Sequence, residues 1–373
     1  MVGDIMKNMS IRKCFILLLV LIGITGGYIY VYNSGKLSEF YLEGIGYSKG
    51  SANYITDRNL AKSVNGYSDT LERAISNNLY KGVYLDDYLN ISYVKRDNFN
   101  KEVNFFLDNG YSDGDINLFY RVGSSKDIEY LLSSKYNENF SRIMNCKYYI
   151  SGYLERYINY ANMHPENGLI DNVTFVNIGL DNDYYTNVMD VNNPNDILVY
   201  VNKYHKLDSG FVPEGLVSVS LSYGVKNQYM RSDSYEAFKV MADDAKKEGV
   251  NIFIGSGYRS YDYQNNLYNR YVLMDGFDKA ETYSARAGYS EHQTGLAVDI
   301  LNGTFSYIED GDMEYSWLIS NSYKYGFILR YPKDKEFITG YMYEPWHYRY
   351  VGKVYAKEIY DSGETFEQWM AKR

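Results

Sequence analysis

The spacing of apolar residues changes twice along the chain and predicts three regions. Residues 14–32 form one apolar run without a charged side chain. Residues 36–165 contain short apolar stretches separated by glycine and serine, with no proline before Pro165, and this pattern predicts short helices. From about residue 170, short apolar runs alternate with amphipathic segments. That alternation predicts an α+β domain at 170–373, with a mixed or antiparallel sheet flanked by helices.

Two periodicities predict the elements of the α+β domain. In one segment Ala237, Val240, Met241 and Ala245 recur at helical spacing, which predicts an amphipathic helix with these residues on its buried face. Short continuous apolar runs predict strands. The predicted strands are 173–179, 197–201, 250–254, 296–301 and 327–331, and the predicted helices are 234–247, 259–273 and 316–325.

The helical region repeats the phrase Gly-Tyr-Ser, at residues 46–48, 66–68 and 110–112. Glycine readily adopts the left-handed backbone conformation that ends a helix, and a serine shortly afterwards can cap the next helix. The phrase therefore predicts a helix stop followed by a helix start. Ser124 and Asp127 have the spacing of a capping box. The pattern indicates helix–turn–helix pairs, arranged as a solenoid-like stalk, a binding module or an irregular helical domain.

The run at 14–32 predicts a transmembrane anchor, because it would span roughly 28 Å as a helix. Basic residues precede it and tyrosines close it, so the positive-inside rule places 1–13 in the cytoplasm and the chain beyond about 33 outside. A cleaved signal peptide is the alternative, although the run is long for one and lacks a clear cleavage site. We therefore expect a single-pass cell-membrane protein whose catalytic domain is extracellular.

Composition excludes several classes of function. The formal net charge is −9, so the chain lacks the basic footprint of a nucleic-acid partner. Only two cysteines are present, and Cys14 lies in the apolar run, so no disulfide framework is available. No histidine is near Cys146 in sequence, which favours a buried small residue over a nucleophile.

Candidate chemistry centres on two of the four histidines. A catalytic zinc site takes three nitrogen or oxygen ligands from the protein, and His292, Asp299 and His347 would supply them. Asp299 has apolar neighbours on both sides, and a buried carboxylate there needs a cation to offset its lost hydration. Glu344 is the natural general base. Pro345 disfavours a helix, so we expect a turn or strand start that directs Glu344 and His347 at one metal ion.

These residues resemble the zinc D,D-carboxypeptidases of the VanY type, which trim bacterial peptidoglycan peptides. The resemblance rests on the patterns S-x-H-x-x-G-x-A-x-D at 290–299 and E-x-W-H at 344–347. It extends over a motif core of about 197–352 and leaves the helical region uncovered. The weaker matching segments are 201–203, 256–260 and 325–331.

The resemblance implies a role for each matching residue. Arg259 would stabilise the oxyanion, while Ser290 and Gln264 would bind the terminal carboxylate or backbone of the peptide. Trp346 would wall the pocket or pack in the core. Zinc would acidify its bound water and polarise the scissile carbonyl, and Glu344 would move the proton to the leaving amine. The metal ligands implied by the resemblance are again His292, Asp299 and His347.

The expected reaction is removal of a terminal D-amino acid from peptidoglycan stem peptides, with D-Ala-D-Ala favoured. An L,D-carboxypeptidase or an endopeptidase on the same scaffold is the alternative, because one metal centre serves all three. A non-catalytic wall-binding zinc module belongs to a different class, and Glu344 argues against it since binding needs no base. The region 36–165 is open to a role as sensor or scaffold.

Overall fold

The computed structural model describes residues 36–373, and the chain divides between Glu155 and Arg156 into two compact units. The predicted anchor at 14–32 and cytoplasmic tail at 1–13 lie outside the described residues. Among the helices of residues 36–373, none is long and apolar enough to cross a membrane.

The first unit is built from short helices, as predicted. Gly46 and Gly110 adopt positive φ values of 122° and 92° at the predicted helix stops. The Ser48 hydroxyl accepts a hydrogen bond from a backbone N–H at the start of the next helix, and full capping boxes form at Ser112 and Ser124. The predicted stop and start signals are therefore confirmed at 46–48 and 110–112. At 66–68 only the start is confirmed, because Ser68 caps the following helix but no helix ends at Gly66. The helices are α1 (Lys36–Ile45), α2 (Lys49–Asp57), α3 (Asp69–Ser76), α4 (Leu85–Asn90), α5 (Phe99–Asp108), α6 (Asp113–Val122), α7 (Ser125–Ser133) and α8 (Asn139–Met144), with a 3₁₀ turn at Gly82–Tyr84.

Asp127 does more than cap α7, and its replacement should loosen this unit. The buried carboxylate accepts backbone N–H bonds from Ser124 (2.8 Å), Gly152 (2.6 Å) and Leu154 (3.1 Å). Burial alone would raise the pKa of Asp127, but these donors outweigh it and lower that pKa. We expect Asp127→Asn to increase amide exchange across residues 124–154 at pH 7, as measured by hydrogen-exchange mass spectrometry, because an amide cannot accept all three bonds.

The direction of that effect with pH follows from the lowered pKa. A carboxylate whose pKa is lower in the folded state stabilises the protein above its unfolded pKa, and the benefit is lost as the pH falls through the folded value. The difference between wild type and Asp127→Asn should therefore vanish in strong acid. Asp86→Asn, at an exposed position in α4, is the control. Equal exchange in both variants at pH 7 would contradict this role for Asp127.

The second unit is mixed α+β, which agrees with the predicted fold class. The strands are β1 (Met189–Asp190), β2 (His205–Lys206), β3 (Leu216–Ser218), β4 (Tyr229–Arg231), β5 (Phe253–Ser256), β6 (Ala297–Leu301), β7 (Phe327–Leu329) and β8 (His347–Tyr350). A four-stranded antiparallel sheet has the order β5-β6-β8-β7, and two small sheets pair β1 with β2 and β3 with β4. The helices are α9 (Leu154–Met163), which begins two residues before the boundary, α10 (Leu169–Ile178), α11 (Ser232–Lys247), α12 (Tyr261–Asp275), α13 (Phe277–Tyr283), α14 (Met313–Asn321), α15 (Glu336–Thr339), α16 (Lys353–Ser362) and α17 (Phe366–Met370), and 3₁₀ turns lie at Glu291–Thr294 and Ser322–Tyr325.

Side chains alternate along β6 and β8, so core residues lie on one face of the sheet and the candidate site residues lie on the other. Val298, Ile300 and Tyr348 are fully buried in one cluster with Phe238 and Met241 of α11. Successive side chains of a strand point to opposite faces, so the residues between these core positions lie on the other face of the sheet. Those residues are Asp299, His347 and Arg349.

The strand predicted at 173–179 is wrong, because these residues belong to α10. Gly168 precedes the helix in an extended conformation, and Gly179 ends it with φ at 104°. Six of the ten residues of the helix are buried, so its apolar residues are not confined to one narrow face. A continuous apolar run does not by itself distinguish a buried helix from a buried strand.

The strand predicted at 197–201 is also wrong. These residues form turns and irregular backbone, although Val199 and Val201 are buried. The carbonyls of Ile197 and Val199 accept hydrogen bonds from Nη2 of Arg349 at 3.0 and 2.8 Å, so no neighbouring strand is needed to satisfy them. In α11, Val240 is half exposed rather than buried, so the predicted buried face was partly wrong.

Candidate active site

Sheet register brings together two residues that are distant in sequence. Asp299 of β6 and His347 of β8 are directly paired across the two strands. Nδ1 of His347 lies 2.9 Å from Oδ1 of Asp299, and each residue is only 4% exposed. Because the register fixes both Cα positions, the pair is held by the backbone rather than by a flexible loop.

His292 reaches the same point from the 3₁₀ turn before β6. Gly295 ends this turn with φ at 68°, a conformation that favours glycine. Nδ1 of His292 donates to the carbonyl oxygen of Gly257 at 2.7 Å, which leaves the lone pair on Nε2, 3.3 Å from Oδ1 of Asp299. One ligand atom from each of His292, Asp299 and His347 lies within 4.8 Å of the others, so the three could hold a metal ion.

Glu344 and His347 lie at the two ends of one tight turn. The backbone N–H of His347 donates to the carbonyl oxygen of Glu344 at 3.1 Å, with Pro345 at the second position of the turn. The turn expected at Pro345 is therefore confirmed. Oε2 of Glu344 lies 3.6 Å from Nδ1 of His347, and the residue is 6% exposed. The carboxylate thus lies beside the cluster without belonging to it.

Burial and neighbouring charges separate the pKa values of these groups. Burial, helped by the nearby Arg259 guanidinium, lowers the pKa of His292 to about 4, which keeps its ring neutral. For His347 burial is outweighed by the hydrogen bond to Asp299 and the nearby carboxylates of Glu291 and Glu344, and its pKa is raised to about 9. Burial raises the pKa of Glu344 to about 8. A divalent cation in the cluster would favour neutral His347 and ionised Glu344, because a nearby positive charge stabilises the deprotonated form of each.

The structure also brings Arg259 to the cluster. One Nη2 hydrogen bond joins it to Oδ2 of Asp299, and its Nε donates to the hydroxyl of Ser256 at 2.9 Å. The Arg259 side chain is 17% exposed, so part of the guanidinium faces open space. Arg259 therefore places a positive charge beside the cluster, held by Ser256 and Asp299.

The three predicted substrate-binding residues all line a pocket of about 230 Å³ at the cluster. Ser290 and Gln264 are buried in its wall. Nε2 of Gln264 donates to the Ala285 carbonyl oxygen at 2.7 Å, while its Oε1 has no hydrogen-bond partner among the described residues. Trp346 lines the pocket and also packs against the sheet core, so both interpretations of this residue hold.

Several residues of the pocket were not predicted from the sequence. Ser284 is 4% exposed, and its hydroxyl has no hydrogen-bond partner within residues 36–373. Its position shortly before the 290–299 motif was the only available signal. Aromatic residues also contribute to the wall, and their abundance in the whole chain hides any pattern. They are Tyr271, Tyr283, Tyr307, Tyr331 and Tyr341.

Buried nitrogen and oxygen ligands, a separate carboxylate and an open pocket define the class of a metal-dependent hydrolase. Residues 227–353 match the VanY family, described as D-alanyl-D-alanine carboxypeptidase. The putative carboxypeptidase YodJ of Bacillus subtilis (strain 168) is 44% identical over 194 residues, which cover 49% of this chain and 70% of YodJ. The chain therefore belongs to the VanY family of D-alanyl-D-alanine carboxypeptidases and is a metallocarboxypeptidase.

Other relatives also match about half of this chain. A D-alanyl-D-alanine carboxypeptidase of Enterococcus faecium is 37% identical over 174 residues, covering 46% of this chain and 51% of that enzyme. Among solved structures, the LdcB LD-carboxypeptidase has a TM-score of 0.46 at 41% identity, covering 51% of this chain and 94% of LdcB. A vancomycin-resistance D,D-pentapeptidase VanY in complex with Zn(II) has a TM-score of 0.41 at 36% identity, and the match covers 46% of this chain and 98% of that VanY chain.

Proposed function

We propose that this protein is a zinc carboxypeptidase that removes the terminal D-amino acid from peptidoglycan stem peptides outside the cytoplasm. The observation that carries the proposal is the buried cluster of His292, Asp299 and His347 with Glu344 beside it. Two imidazoles and one carboxylate are a donor set that suits zinc and leaves a coordination position open. The chemistry of the residues therefore fits the metal.

The residues around the cluster divide the work of peptide hydrolysis. Zinc, when bound, supplies a Lewis acid that activates water and polarises the scissile carbonyl. Glu344 takes the proton from the attacking water and passes it to the leaving amine, and its buried position keeps its pKa near the working pH. Arg259, tethered by Ser256, offers its guanidinium to the oxyanion.

Residues of the pocket wall would recognise the C-terminal end of the substrate peptide. Ser290 and the free Oε1 of Gln264 are placed to bind the terminal carboxylate region or backbone of a short peptide. We favour D-Ala-D-Ala because curated relatives are D-alanyl-D-alanine carboxypeptidases. An L,D-carboxypeptidase is the alternative, since the same arrangement of metal and base would serve a tetrapeptide.

The test measures metal content and product release with the full-length chain. Purified protein is assayed for zinc and incubated with a stem pentapeptide and a stem tetrapeptide while released D-Ala is followed. We expect about one zinc per chain and release from the pentapeptide. Asp299→Asn should lose both, and Asp310→Asn, at an exposed position, should lose neither. The charge change is the same in the two variants, so their comparison isolates the cluster.

Each other outcome contradicts a different part of the proposal. Release from the tetrapeptide alone would overturn the D,D assignment and keep the mechanism. Zinc without release from either peptide would favour an endopeptidase or a wall-binding module. A protein that binds no zinc would overturn the site as a whole.

A further inference from the structure

Glu291 is a buried carboxylate that the proposed mechanism does not use. It precedes His292 in the 3₁₀ turn and is 2% exposed. Its Oε1 accepts hydrogen bonds from Nε of Arg330 at 2.8 Å and from Nη1 of Arg349 at 3.0 Å. Its Oε2 has no hydrogen-bond partner among the described residues and lies 3.8 Å from Nε2 of His347. That nitrogen likewise has no other partner in residues 36–373.

The charges around Glu291 balance without any help from His347. Both guanidinium groups of Arg330 and Arg349 are fully buried, and Arg330 also makes a two-bond contact with Glu367, at 2.9 and 2.5 Å. Two arginines thus face two glutamates. Burial would raise the pKa of Glu291, but the two guanidinium groups hold it below its usual range, so the carboxylate stays ionised.

The two arginines therefore do not explain why Oε2 of Glu291 faces His347. Oε1 already receives both guanidinium bonds, whereas Oε2 faces the far side of the His347 ring. A tilt of the imidazole that moves Nε2 by about 1 Å would bring the pair within hydrogen-bond distance. Nδ1 on the opposite edge of the same ring faces Asp299.

We propose that Glu291 is a positioning residue for the metal site, accepting the Nε2–H of His347 so that Nδ1 keeps its lone pair for the ion. The inference rests on the proposed zinc site and deepens it. His292 uses the opposite nitrogens, with Nδ1–H given to the Gly257 carbonyl and Nε2 facing the cluster. One short turn thus supplies both a ligand and the residue that orients a second ligand. Carboxylates in this outer position fix the tautomer and raise the basicity of the ligand.

The Glu291→Gln variant tests this arrangement because an amide has one acceptor atom. The amide oxygen must face Arg330 and Arg349, since the NH₂ group cannot accept their bonds, and the NH₂ group is then turned toward Nε2 of His347. That contact favours a proton on Nδ1, the wrong tautomer for the ion. We expect zinc affinity, measured by competition with a chelator, to fall about 10–100-fold.

Glu367→Gln is the matched control. It removes the same charge from the same buried arginine network, but Glu367 has no hydrogen bond or ion pair to His347. If Glu291 only balances the arginines, the two variants will lose zinc affinity equally, and the proposal is overturned. Loss confined to Glu291→Gln supports it.

A second measurement avoids the risk that a variant fails to fold. Nitrogen-15 NMR of the imidazole in zinc-loaded wild type should show His347 protonated at Nε2 and bonded to the metal through Nδ1. The reverse assignment would overturn the proposal. Wild type that binds no zinc would instead refute the proposed function. Wild type that binds zinc and cleaves peptide, with the two variants equal, refutes only the role of Glu291.

Discussion

Replacing Glu344 with glutamine should lower kcat by about 10²–10⁴ while the protein keeps its zinc. The amide has the shape of the carboxylate but cannot accept the proton of the attacking water. Glu344 lies next to the cluster but is not one of its three ligand residues, so metal content should stay at the wild-type level. Zinc analysis and D-Ala release on the same sample measure the two quantities together.

Glu336→Gln is the control for this change, because Glu336 is exposed in α15 and lies outside the pocket. Its kcat should equal that of wild type. Loss of zinc from Glu344→Gln would show that Glu344 acts as a ligand. Full activity with full zinc would show that another group moves the proton.

Arg349→Met should lower the free energy of unfolding by about 3–5 kcal/mol, because removing one partner leaves buried charge and buried carbonyls without their donors. Arg349 is fully buried, and its Nη1 donates to Glu291. Its Nη2 donates to the carbonyls of Ile197 and Val199, which have no strand partner. Methionine fills similar space but replaces none of these bonds.

The measurement is denaturant unfolding followed by the fluorescence of the tryptophans, with chelator present so that metal binding does not contribute. Arg270→Met changes an exposed arginine in α12 and should stay within about 0.5 kcal/mol of wild type. A loss below about 1 kcal/mol in Arg349→Met would show that the 197–201 segment is held by its side chains instead.

The metal cluster could be predicted from the sequence because its motifs are short and histidine is scarce in this chain. With four histidines in 373 residues, the pairing of His292 and His347 with nearby carboxylates was conspicuous, and Pro345 restricted the backbone between Glu344 and His347. The direct pairing of Asp299 with His347 was not accessible, because it depends on the register of β6 against β8. That register is a tertiary property that no spacing along the chain encodes.

The failures have a common physical cause. Burial makes a helix, a strand and an irregular segment equally apolar, so α10 and the 197–201 segment could not be told from strands. Likewise, Glu291 reads as an ordinary acidic residue beside a motif. Its role depends on its hydrogen bonds to Arg330, directly after β7, and to Arg349, in β8.

Because Asp299 and His347 are paired across two strands, metal binding at this site depends on correct assembly of the sheet. A slip of one residue between β6 and β8 would turn one of the two side chains to the α11 face and separate the ligands. Tight zinc uptake therefore reports correct strand alignment, and misaligned molecules in a refolded batch should remain empty even when their secondary structure content is native. Zinc-affinity fractionation would separate the two populations without any assay of catalysis.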